Sequence, residues 1–156
     1  MKFISFNHDN SEKFGIIENN LITDLTGKID GALSLKELIK IKKIKEAKEY
    51  AKSNPGSIKP DQIQYSPLIP NPGKIICVGL NYSEHVKETN RTVEENPVIF
   101  HRFPESQTAH MQAIQRPTVS ESLDFEGEMA VIMDEGGKHI KPCLLYTSDA
   151  ADEADG

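Results

Sequence analysis

Between residues 124 and 133 acids alternate and then give way to an unbroken apolar run: Asp124-Phe125-Glu126-Gly127-Glu128, followed by Met129, Ala130, Val131, Ile132 and Met133. As a strand, this segment puts Asp124, Glu126, Glu128, Ala130 and Ile132 on one face, because side chains alternate with period two. An acidic row then leads into a buried row. Same-face neighbours lie roughly 6.7 Å apart at their α-carbons, so carboxylates entering a low-dielectric face repel one another and lose hydration. A hard divalent cation with oxygen ligands would relieve both costs. Acids on the solvent face of an edge strand, where charge discourages aggregation, satisfy the same pattern, as does a paired or catalytic carboxylate. The segment alone leaves these readings open.

At 156 residues with 37% hydrophobic content, the chain can bury one modest core. Its formal charge of −6 argues against a nucleic-acid or anionic-membrane surface. The one basic cluster, Lys40, Lys42, Lys43 and Lys45, fits a solvated helix face. No apolar run approaches the ~20 residues of a membrane span, and the first residues lack a signal peptide's apolar region. A cytoplasmic protein is expected. The two cysteines, Cys77 and Cys143, are too few for a disulfide framework, and Cys77 inside an apolar run reads as a small core thiol.

Met1 to Phe6, Lys13 to Glu18 and Leu21 to Leu25 predict a short antiparallel meander, with a turn at Asn19-Asn20. Ser34-Leu35-Lys36-Glu37 is a capping-box pattern, and the apolar spacing behind it predicts one or two helices over about 34–52. Asn54-Pro55-Gly56 stops them. Pro60, Pro67, Pro70 and Pro72 predict a stiff, extended connection. Ile75 to Val78 then reads as a strand buried on both faces, Asn81 to Glu88 as a short helix and Pro97 to Phe100 as a second apolar run. On that helix His85 and Glu88 share a face, close enough for the carboxylate to orient the imidazole as a general base. An exposed helical pair gives the same spacing.

Taken together, Pro70-Asn71-Pro72-Gly73-Lys74-Ile75-Ile76-Cys77-Val78-Gly79-Leu80-Asn81-Tyr82, then His85 and Glu88, then Glu126-Gly127-Glu128 before an apolar strand, resemble the fumarylacetoacetate hydrolase family over roughly residues 65 to 142. The resemblance implies an α+β fold: a small N-terminal β/α domain over residues 1–70 and the incomplete start of a mixed β-roll catalytic domain over 71–142. It implies Glu126 and Glu128 as ligands to Mg²⁺ or Mn²⁺, with a third ligand, an Asp, beyond Pro142. It also implies His85 and Glu88 as the catalytic pair on a closing lid, with Tyr82 packed beneath it, and a homodimeric parent acting on a 2-oxo acid. Its chemistry would be metal-dependent hydrolysis of a C–C bond, or keto-enol isomerisation, in an acylpyruvate-type acid. Oxaloacetate decarboxylation or tautomerisation within the family is the alternative, and a non-catalytic β module with an acidic edge is the rival from another class.

Arg102 could grip a substrate carboxylate with its planar fork or form a surface ion pair. Ser106 to His110 resembles an entrance segment of one subgroup, without a role assignable from spacing. Residues 143–156 resemble a translated sequencing adapter and are set aside as an artefactual tail, so the natural chain is expected to stop near Pro142 and to be inactive by itself.

Overall fold

The computed structural model describes residues 1–82, 96–123 and 127–140. Along the chain run β1 (Lys2–His8), β2 (Ser11–Glu18), β3 (Leu21–Asp24), α1 (Leu35–Lys40), α2 (Ile44–Ser53), β4 (Gln64–Tyr65), β5 (Ile75–Gly79) and β6 (Val98–Arg102). Single 3-10 turns occupy Pro60–Gln62 and Pro104–Ser106. Two antiparallel sheets and two α-helices make the described residues a mixed α and β structure.

The expected meander forms, and local turn chemistry explains it. Asn19 and Asn20 have φ of 49° and 61°, and Asp9 and Asn10 have φ of 53° and 57°. Two successive left-handed residues make the tight hairpin turn whose twist matches that of the flanking strands. Asn and Asp reach that region more cheaply than other side-chain-bearing residues. The turns set the register, His8 opposite Ser11 and Glu18 opposite Leu21.

Register then decides which face is apolar. Ser5 lies opposite Phe14, Phe3 opposite Ile16, and Ile16 opposite Thr23, so these residues share a face. Phe14 and Ile16 on that face pack with Leu25, Ile29, Ala32, Leu35, Leu38, Ala47 and Ala51, and both helices lie over it. Each fully buried Leu, Ile or Phe contributes roughly 1.5–3 kcal/mol of transfer free energy. Phe6 and Ile22 on the opposite face are also fully buried.

The helical stretch divides in two at Lys42, whose φ is 57°. Backbone N–H groups of Lys42 and Lys43 return to the carbonyls of Ile39 and Leu38, closing α1 before α2 begins. At its start the Ser34 hydroxyl accepts the Glu37 N–H at 3.2 Å, while the Glu37 carboxylate accepts the Leu33 N–H at 2.8 Å. The predicted capping box is thus shifted by one residue on its return arm.

The proline-rich connection is not simply extended. Gln64 and Tyr65 pair with Asn7 and Phe6 as a fourth strand, giving the order β3-β2-β1-β4. The Ser66 N–H adds a further bond to the Ser5 carbonyl at 2.9 Å, just before Pro67.

Two strand expectations need correction. Among the described residues β5 pairs with β6 alone, and its burial alternates rather than covering both faces: Ile76 is 62% exposed and Cys77 is half-buried, outside the core. A two-stranded ribbon is one layer thick, and β6 is exposed along its length. Residues 127–133 form no strand, and Met129 and Val131 are 86% and 75% exposed. Among the described residues no strand pairs with this run. The carboxylate row therefore does not enter a buried row here.

Candidate active site

β5 ends at Gly79, and Leu80 follows with φ of 56°. A left-handed leucine crowds its Cβ against the backbone and costs roughly 1–2 kcal/mol, so the chain turns sharply where the Asn81-Tyr82 motif begins. Asn81 and Tyr82 are not helical, and Tyr82 is half exposed. His85 and Glu88, and with them the rest of the expected helix, lie outside the described residues.

Of the two expected metal ligands, Glu126 lies outside the described residues, together with Asp124. Glu128 is exposed on the irregular stretch. Carboxylate oxygens two residues apart are the donor chemistry that Mg²⁺ or Mn²⁺ takes. Among the described residues, however, no group of three His, Cys, Asp or Glu side chains could hold a metal. Asp134 stands close to the exposed Lys42–Glu135 ion pair, where the hydrogen bond between the two side chains, aided by their opposite charges, raises the Lys42 pKa and holds the Glu135 carboxyl low.

Arg102 closes β6 opposite Ile75, exposed and without an ion pair among the described residues. Beside it, His101 meets Phe103 edge-on with ring centroids 5.4 Å apart.

The segment after β6 has a positioning role that its sequence did not reveal. Gln107 donates to the Ile69 carbonyl at 3.3 Å, and Gln112 donates to the Tyr65 carbonyl at 3.1 Å. His110 packs edge-on against Tyr65 at 4.9 Å, and Ala109 is buried. These contacts bind the residues following β6 to the end of the first sheet. Gln112 also accepts the Ala109 N–H at 3.2 Å, a local glutamine loop bond that spacing could have suggested.

The family pattern described as fumarylacetoacetate (FAA) hydrolase C-terminal matches residues 74–152, just over half of the chain. This chain belongs to that family. The match takes in β5, β6 and the Glu126-Gly127-Glu128 motif, and it runs into the segment set aside as a tail. A mitochondrial oxaloacetate tautomerase of Rattus norvegicus is 42% identical over 80 residues, covering 51% of this chain and 26% of that protein. One from Xenopus laevis is 36% identical over 98 residues, covering 63% of this chain and 31% of its own. The chain spans about a quarter to a third of the length of these relatives.

The crystal structure of an HpcE protein from Mycobacterium smegmatis superposes with a TM-score of 0.56 at 21% identity, covering 73% of this chain and 40% of that one. That likeness is one of fold. The names of the tautomerases place them in mitochondria, whereas the sequence here led to a cytoplasmic expectation. Among the described residues no helix is long and apolar enough to cross a membrane.

Proposed function

We propose that this fumarylacetoacetate hydrolase family chain belongs to a metal-dependent enzyme that interconverts the keto and enol forms of an oxaloacetate-type 2-oxo acid. The observation that carries this reading is the 42% identity over 80 residues to a protein named as an oxaloacetate tautomerase. Glu126 and Glu128 would hold Mg²⁺ or Mn²⁺, together with an Asp supplied from beyond Pro142. When bound, the cation supplies Lewis-acid stabilisation of the negative charge that develops as an enolate forms.

The protein's own groups then manage the proton. On this proposal Glu88 would accept a hydrogen bond from His85 and so fix the tautomer that leaves the other ring nitrogen basic. That nitrogen removes a proton from the carbon beside the keto group, and the C–H electron pair becomes the C=C bond of the enolate. Protonation on oxygen completes the enol, and the reverse transfer regenerates the keto acid. Arg102, exposed at the end of β6, would receive a substrate carboxylate in bidentate fashion. Closure of the segment bearing His85 over the substrate would exclude water.

A second reading keeps the same groups and changes the proton's source. If His85 activates a water instead of the substrate carbon, attack on a distal carbonyl cleaves the C–C bond of an acylpyruvate. The His-x-x-Glu spacing of His85 and Glu88 in the sequence suits a carboxylate-oriented general base acting on water, which would favour it. We propose a homodimer acting in the cytoplasm on small 2-oxo acids, with no nucleic-acid or membrane partner.

The test uses protein with a complete catalytic domain and follows oxaloacetate enol absorbance with and without Mg²⁺ or Mn²⁺. Metal-dependent acceleration, lost in His85→Ala and in Glu126→Gln, is expected. Acceleration that survives chelation rejects the metal assignment. Acylpyruvate cleavage without tautomerisation would favour the second reading.

A further inference from the structure

We draw no further inference here: the strongest candidate, the apolar surface that Ile76, Val78, Ile99 and Phe100 expose on the β5–β6 ribbon, carries nothing because nothing among the described residues shows what covers it.

Discussion

Lys13 on β2 donates a 2.8 Å hydrogen bond to Asp24 at the end of β3, and the other Asp24 oxygen accepts the Thr26 N–H at 2.8 Å. Thr26 in turn accepts the Phe14 N–H at 3.1 Å, while the Leu25 N–H bonds the Phe14 carbonyl at 2.9 Å. The pair therefore sits where the chain leaves the sheet and carries Leu25, fully buried, into the core. Burial pushes the Asp24 carboxyl up, but the hydrogen bonds from Lys13 and Thr26, with the Lys13 charge, outweigh it and hold the group below the usual carboxylate range.

A carboxyl held low in the folded state adds stability that is fully present above its unfolded value, about 3.9. That stability is lost as pH falls through the folded value. Asp24→Asn should therefore destabilise the chain at pH 7, by about 1–2 kcal/mol for the weakened hydrogen bonds. The gap between variant and parent should close below roughly pH 4. Urea unfolding at pH 7 and pH 3 measures both. A gap that is constant across that range would contradict the assignment.

Gly15 on β2 lies so close to β3 that a Cβ there would run into the Thr23 carbonyl. Backbone cannot yield as a flexible side chain can. Gly15→Ala should destabilise the first sheet by more than the ~1 kcal/mol a compatible Gly→Ala change can gain. A thermal melt followed by far-ultraviolet circular dichroism should show a lowered midpoint. An unchanged or raised midpoint would mean the strands have room to separate.

Ser34→Ala removes the acceptor for the Glu37 N–H at the start of α1. The expected loss is about 1 kcal/mol. Ser34→Asp, which keeps an acceptor at the helix's positive end, should recover most of it. Paired denaturation curves decide the matter, since an Asp variant no better than Ala would locate the effect elsewhere.

Supplied alone with Mn²⁺ and either oxaloacetate or an acylpyruvate, the 156-residue chain should give no metal-dependent turnover. The described residues contribute one carboxylate donor, Glu128, and the third ligand lies outside the chain on the proposed reading. Absorbance assays with and without chelator test this. Sustained turnover abolished by chelation would show that the missing donor is supplied from within.

Much of the first sheet was legible because its signals are local. Asn19-Asn20 marks a turn by side-chain type, and Ser34 with Glu37 marks a helix start by hydrogen-bonding capacity. β4 was not legible. Gln64 and Tyr65 lie between prolines and carry no alternation of their own; they form a strand only because β1 offers an open edge at Phe6 and Asn7. Misreading also followed from apolar character. Ile75 to Val78 and Met129 to Met133 are hydrophobic enough for buried strands, yet burial needs a covering layer, and composition cannot supply one.

The candidate site divides the same way. Residue type and spacing offered Glu126, Glu128, His85 and Glu88 only as candidates, and it was their combination with the Pro70 to Tyr82 run that resembled one family. Only the tertiary structure could show that Gln107 and Gln112 fasten the residues after β6 to Ile69 and Tyr65. Only it could show that Arg102 is exposed at the end of β6 and that Glu128 occupies an exposed, irregular stretch. Turns and caps are decided within a few residues, whereas strand pairing, burial and the gathering of ligands depend on contacts between distant parts of the chain.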